Sequence, residues 1–225
     1  MPFLENAIYR LVNGKRTLTS PIFLKSFQKE NDQLKDLLEL SSKVTSNKKN
    51  IIDRDIAFLR QGLKGEENVY YELKNSFLPI VCLHYIRLEY DNYSAQFDFI
   101  IISSKFIYIL ETKKLNGDIE ITGDGDFIRI IKNSRGRLIK TLPIKSAVII
   151  ANPKTIINKY RAPKYIQNNI FKYDQIRNLL DKELNNKNNE KNILEKYIYE
   201  LADFLVEHNR PIKIDYTANI IVSFF

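Results

Sequence analysis

The chain has 225 residues, 44% of them hydrophobic, so it can bury a sizeable core. Its single cysteine and two histidines exclude an internal disulfide and a structural zinc site of the cysteine and histidine type. The formal net charge of +8 favours a polyanionic partner such as nucleic acid, and the Lys-rich composition that AT-rich genomes favour accounts for it equally well.

The sequence does not predict a membrane-spanning segment. Its start contains no continuous apolar segment, and no segment of the chain approaches the roughly 20 apolar residues that a membrane span needs. We therefore expect a cytoplasmic protein that does not enter a membrane.

The N-terminal part of the chain is predicted to be helical. Apolar residues recur at mostly helical spacing from Ile22 to Ser42, and a second helical segment follows from Ile51 to Leu59.

A further helix is predicted from Gly62 onward. One apolar face is formed by four residues at helical spacing, Val69, Tyr70, Leu73 and Phe77. Glu66 lies at the N-terminal end of this face, whereas Glu67 faces away. The helix dipole favours a carboxylate in a first turn, which explains an acid at this point but not the face that it occupies.

Strand-like segments follow, and their order predicts an antiparallel meander behind the helix. They span residues 79–90, 96–103 and 106–114. Cys82 and His84 lie in an apolar part of the first, so both are expected to be buried and inert. Turns at 116–118 and 123–126 precede two shorter strands, at 119–122 and 127–132, and residues 147–151 form another buried strand.

The C-terminal part begins with an Asn- and Lys-rich loop at 185–192. A helical apolar stripe runs from Ile193 to Val206, and apolar residues then alternate from 212 to 224 as in a strand. The predicted division is a helical N-terminal extension (1–60), a core (61–184), and a C-terminal helix plus strand packed on the core (185–225). The apolar stripes of the terminal helices could pack on the core, form a homodimer or dock another protein.

Two carboxylates, Asp98 and Glu111, interrupt strands that are otherwise typical of a buried sheet. A two-residue turn at 104–105, or a four-residue turn with the same centre, places Asp98 opposite Glu111 and Gln96 opposite Lys113. Side chains alternate between the two faces of a strand, so all four project from one face in neighbouring cross-strand pairs.

Two facing carboxylates repel each other, so a cation is expected between them. Lys113 supplies one positive charge, and a hard divalent ion, Mg²⁺ or Mn²⁺, would supply the rest. Asp98 and Glu111 would hold the metal together with the main-chain carbonyl of Thr112. Glu66 would bind through a metal-coordinated water or a second ion.

Phosphodiester hydrolysis needs a polarised phosphate, an activated water and positive charge at the transition state. Lys113 would orient the attacking water or help to deprotonate it, and would stabilise the developing negative charge. Contacts with the phosphate backbone are expected from basic residues near the site, namely Lys114, Lys154, Lys159, Arg161 and Lys164.

The ordered set of residues resembles the PD-(D/E)XK nuclease superfamily and, more narrowly, the nuclease-related domain (NERD) of bacterial proteins. The matching positions are Gly62, Gly65 and Glu66, then Gln96 and Asp98, then Glu111 and Lys113, then Gly117. The resemblance spans residues 62–180 and includes a segment at 152–166, and Phe97 stands where the superfamily's name-giving proline would be. It implies an α/β, restriction-endonuclease-like fold, with a mixed central sheet flanked by helices, and a metal-dependent nuclease or DNA-processing role.

Three functional hypotheses follow from these residues. The first is a Mg²⁺-dependent nuclease acting on DNA. The second is a non-catalytic nucleic-acid-binding or interaction module that retains the nuclease fold. The third is a structural ion-pair network between the acids and Lys113. The complete set of acids and lysine favours the enzyme, because a binding module has no need of repelling carboxylates on a buried strand.

Overall fold

The computed structural model describes residues 18–45, 48–113, 119–120, 144–160, 162–187 and 193–212. In chain order the elements are β1 (Ile22–Lys25), α1 (Asp32–Lys43), α2 (Lys48–Lys74), β2 (Val81–Tyr90), β3 (Tyr93–Ile102), β4 (Ile107–Lys113), β5 (Ile119–Glu120), β6 (Ile144–Ile150), β7 (Ile157–Asn158), α3 (Lys164–Gln167), β8 (Ile170–Lys172), α4 (Ile176–Leu184) and α5 (Glu195–Glu207). A short 3-10 turn, Tyr173–Gln175, joins β8 to α4.

The main sheet has six strands in the order β1-β2-β3-β4-β6-β8. Strands β2, β3 and β4 form the expected antiparallel meander. Strands β1, β6 and β8 each run parallel to their neighbour in the sheet. Strands β5 and β7 form a separate parallel pair. The expectation of an α/β fold with a mixed central sheet, of the restriction-endonuclease-like kind, is confirmed.

Helices cover both faces of the sheet. On one face, α2 and α4 bury residues such as Leu73 and Leu180 against Phe99 and Leu110 of the sheet. On the other face, α5 packs Ile198 and Ala202 against a second cluster that includes Val81, Leu83 and Ile100. The C-terminal helix therefore packs on the core. Of the helices in the described ranges, none combines the length and apolar character that crossing a bilayer requires.

The helix predicted from Ile22 to Ser42 is wrong in its first part. Residues Ile22–Lys25 form β1, which pairs in parallel with β2 at the edge of the sheet. The helix α1 begins only at Asp32, where the Asn31 side chain accepts a hydrogen bond from the Leu34 amide at 2.9 Å. A short apolar run satisfies helical and extended spacing alike, and pairing with a strand distant in sequence decided this case.

The two helices predicted on either side of residue 60 are a single helix, α2. Gly62 lies in its interior rather than at a helix start, which costs about 1 kcal/mol relative to alanine. Burial offsets this cost, because α2 and α1 enclose a small cluster of their own, formed by Leu34, Leu37, Ile52, Ile56 and Leu63. The predicted domain boundary at residues 60–61 falls within α2, and the three-part division stays a prediction.

Several predictions fall outside the described residues. They concern the turns at 116–118 and 123–126, the strand at 127–132, and the alternating segment at 213–224. Of the strand predicted at 119–122, the described part is β5.

Lys25 ties the end of β1 to the main chain of β2. Its Nζ donates to the carbonyl oxygen of His84 at 2.7 Å and to that of Tyr85, and it lies 5.5 Å from the centre of the Tyr85 ring. Burial lowers the pKa of Lys25 to about 8. The folded protein therefore binds this proton less tightly than the unfolded chain does.

This lowered pKa predicts a pH-dependent stability. Between about pH 8 and pH 10.5 the unfolded chain binds more protons at Lys25 than the folded chain, so the free energy of unfolding should rise with pH. Urea unfolding of the wild type and Lys25→Met across this window measures the contribution, because other titrating groups cancel in the difference. The exposed Lys182→Met is the control and should show a flat difference. A flat difference for Lys25→Met as well would contradict the prediction.

Candidate functional site

The register of the β3–β4 hairpin agrees with the one predicted from the sequence. The two strands pair from Ile102 opposite Ile107 to Phe99 opposite Leu110. The turn is centred at 104–105 and is closed by the Ser103 amide, which donates to the Phe106 carbonyl oxygen at 2.9 Å. This ladder ends at Phe99 and Leu110, so the predicted pairs Asp98–Glu111 and Gln96–Lys113 lie beyond it and stay predictions.

The alternation of side chains shifts by one residue just where Asp98 lies. Tyr85 on β2 has a positive φ of 55°, and it interrupts the β2–β3 pairs between His84 and Ile86. On each strand, the residues that face α5 change from odd to even positions, or the reverse, across this point. The cluster on the α5 side contains Val81, Leu83, Ile86 and Leu88 of β2, and Phe97, Ile100 and Ile102 of β3. Asp98 therefore occupies an irregular point of the sheet, where its side chain is not committed to either apolar layer.

The Asp98 carboxylate reaches the main chain of β4. Its Oδ2 accepts a hydrogen bond from the Thr112 amide at 2.6 Å, so it lies against the peptide that joins Glu111 to Thr112. Beyond Leu110, β4 continues to pair on its other side with β6, where Glu111 lies opposite Val148. A hydrogen bond to an ionised acceptor contributes about 1.5–3 kcal/mol, and this one holds the carboxylate in place.

The donor atoms at this point suit a hard divalent cation. Asp98 and Glu111 supply carboxylate oxygens and Thr112 a main-chain carbonyl, which are the ligands that Mg²⁺ and Mn²⁺ prefer. Within the described ranges, no three His, Cys, Asp or Glu side chains are grouped closely enough to hold a metal ion. Mg²⁺ usually takes only one or two carboxylates from a protein, together with waters and substrate phosphate, so Asp98 and Glu111 would be enough carboxylates for it.

Glu66 is hydrogen-bonded to a residue that the sequence interpretation did not consider as its partner. It is in the second half of α2, not in a first turn, so the helix dipole does not explain it. His84 Nε2 donates to Glu66 Oε2 at 2.7 Å, because an ionised carboxylate only accepts. The two side chains are 6% and 15% exposed, respectively. This contact links α2 to β2 on the face of the sheet that α2 covers.

His84 is the site residue that the sequence interpretation missed. It is buried as expected, between the rings of Phe27 and Phe99 at centroid distances of 5.1 and 4.9 Å, but it is not without a role. The sequence contains a signal for this contact, because His84 is on a strand predicted to lie against the helix whose inward-facing acid is Glu66.

The expectation that Cys82 is buried and inert is confirmed, because this residue is fully buried and burial raises the pKa of its thiol.

The other residues predicted for the site or for phosphate contacts differ in exposure and in partners. Gln96 is exposed and pairs with Arg87 on β2. The main chain of Lys113 pairs with Ile150 in β6, while its side chain is outside the described residues, as are Lys114 and Arg161. Lys154 and Lys164 are exposed. The Lys159 ammonium, by contrast, donates to the main-chain carbonyls of Gln167 at 2.5 Å and Ile170 at 3.0 Å.

Comparison with protein families gives one clear result. The family model described as nuclease-related domain (NERD) matches residues 61–217, which is more than half of the chain. Curated proteins and solved structures gave no match. The matched range begins within α2 and includes Glu66, Asp98, Glu111 and Lys113. The chain therefore belongs to the nuclease-related domain family, whose general placement is in the PD-(D/E)XK nuclease superfamily.

Proposed function

We propose that this protein is a metal-dependent nuclease that hydrolyses phosphodiester bonds, with DNA as its substrate. The observation that carries the proposal is the Asp98 carboxylate, which lies against the Glu111–Thr112 peptide. Placing a charged side chain in a predominantly apolar sheet is costly, so a carboxylate at this position is a candidate functional group. The net charge of +8 supports an anionic substrate.

Asp98, Glu111 and the Thr112 carbonyl would hold Mg²⁺ or Mn²⁺. When bound, such an ion polarises a phosphate oxygen and lowers the pKa of a coordinated water. Lys113 is proposed to orient the attacking water and to stabilise negative charge at the phosphate. Gln96 is proposed to act at the same site, because it belongs to the same motif as Asp98 and Lys113.

A non-catalytic nucleic-acid-binding or interaction module is the second candidate, and one contact favours it. The Glu66 carboxylate is bonded to His84 and is largely buried. Glu66 thus stabilises the packing of α2 on the sheet, and a module that catalyses no reaction needs this packing as much as an enzyme does. For either candidate, we also propose that the terminal helices bind a protein partner or a second copy of the chain. The molecular mass in solution, measured by light scattering, tests whether a second copy binds.

Metal binding and cleavage should depend on Glu111. We expect the wild type to bind Mg²⁺ or Mn²⁺ in calorimetric titration and to cleave end-labelled single- or double-stranded DNA, with cleavage stopped by a chelator. Glu111→Gln keeps the shape of the side chain but removes its charge, so the metal affinity should fall by at least about 10-fold.

Glu200→Gln is the matched control, because Glu200 is an exposed residue of the C-terminal helix α5. It should bind metal and cleave DNA as the wild type does. Cleavage that persists in excess chelator would contradict the proposal. DNA binding without cleavage in either metal would instead support the non-catalytic module.

A further inference from the structure

A connecting segment, described at residues 151–160 and 162–169 between β6 and β8, begins at the end of β6 that pairs with the end of β4. It leaves β6 directly after Ile150, which pairs with Lys113 of β4. Its short strand β7 pairs with β5, and β5 follows β4 in the chain. The segment therefore begins next to Lys113 and is paired further along with β5.

Hydrogen bonds hold this connecting segment in a defined shape. Asn68 of α2 donates through Nδ2 to the Ala151 carbonyl at 3.1 Å. Lys159 donates to two main-chain carbonyls near the far end of the segment, and Gln167 Nε2 donates to the Ala162 carbonyl at 2.7 Å. Thr155 is buried. A basic residue used in this way stabilises the segment and leaves phosphate contacts to other residues.

The same anchored segment presents large rings to solvent. Tyr160 is 87% exposed, the highest value among the exposed large apolar side chains of the described residues, and Tyr165 is 54% exposed. Within those residues the Tyr160 ring makes no ring contact, and its hydroxyl group makes no hydrogen bond. Lys154 and Lys164 are exposed nearby in sequence. Exposed rings and cations within one segment are the pattern of a surface on which bases stack.

We propose that the connecting segment binds single-stranded nucleic acid, with bases stacking on Tyr160 and Tyr165 and with Lys154 and Lys164 contacting phosphates. The inference rests on the proposed function, since it names the form of substrate delivered to that site. A single strand is favoured over a duplex because only unpaired, unstacked bases offer their faces to a protein ring. DNA and RNA share this chemistry.

The test is fluorescence anisotropy of the full chain with labelled oligo(dT), oligo(rU) and a duplex, each about 12 units long, in the presence of a chelator. Loss of one stacked base predicts that Tyr160→Ala weakens single-strand binding about 5- to 150-fold, with little change for the duplex. Tyr160→Phe keeps the ring and should bind as the wild type does. Tyr71→Ala, an exposed tyrosine of α2, is the matched control and should have no effect.

Comparison of oligo(dT) with oligo(rU) shows which nucleic acid the surface prefers, and tight binding of either one by the wild type supports the proposal. Equal losses on single strand and duplex, or no loss with Tyr160→Ala, would overturn it. Because binding is measured without divalent metal, a failure of the nuclease proposal leaves this result unaffected. Cleavage assays with metal report on that proposal separately.

Discussion

Asp98→Asn should reduce metal-dependent cleavage of DNA by at least about 100-fold without unfolding the protein. Asparagine has nearly the shape of aspartate, and its Oδ1 can still accept the hydrogen bond that the Thr112 amide now donates to Asp98. Only the negative charge is lost. The expected loss therefore lies in metal binding and in the rate of cleavage, measured by calorimetry and with labelled DNA under the same conditions.

Asp98→Ala separates the two roles of this side chain. It removes the charge and also leaves the Thr112 amide without its acceptor, at a cost of about 1–3 kcal/mol in the free energy of unfolding. Asp181→Asn, at an exposed position of α4, is the matched control and should change neither property. Undiminished cleavage by Asp98→Asn would refute the assignment of Asp98 as a metal ligand.

His84→Phe should lower the free energy of unfolding by about 1–3 kcal/mol, or more if the partner stays charged. Phenylalanine keeps a ring between Phe27 and Phe99 but offers no donor to Glu66 Oε2. The Glu66 carboxylate is then largely buried without this partner. Chemical denaturation of the variant and the wild type measures the difference.

A double variant tests whether the lost hydrogen bond is the cause. Replacing both partners by apolar residues, as in His84→Phe with Glu66→Met, should restore much of the stability, because no buried charge is left without a partner. If the double variant is as unstable as the sum of the single variants, the effect of His84→Phe comes from ring packing instead. His84→Gln, which keeps a donor, should lose less stability than His84→Phe.

Local patterns predicted the parts of the site that depend on neighbours in the chain. The turn at 104–105 set the β3–β4 register, which agrees with the prediction as far as the pair Phe99–Leu110, and Asp98 is the next residue of β3 beyond that pair. Helical spacing correctly placed Glu66 on the inward face of its helix. Each prediction used residues within one helix or within two strands joined by a short turn, where backbone geometry alone relates the side chains.

Contacts between distant parts of the chain decided what these patterns left open. Residues Ile22–Lys25 became a strand because β2 offered a free edge, and α2 continued through Gly62 because α1 covers it. The shift at Tyr85, which frees Asp98 from the apolar layers, has no signature in the local alternation of either strand. The Glu66 partner, His84, lies on an element that the helical pattern does not specify.

By itself, the sequence determined the family, the class of the fold and the register of the hairpin that carries Asp98 and Glu111. The tertiary structure alone decided that Glu66 bonds to His84, that Lys159 serves the main chain, and that Tyr160 is held out in solvent. The physical reason is the same in each case. Secondary structure fixes the direction of a side chain, but the partner that it meets depends on which distant surfaces pack together.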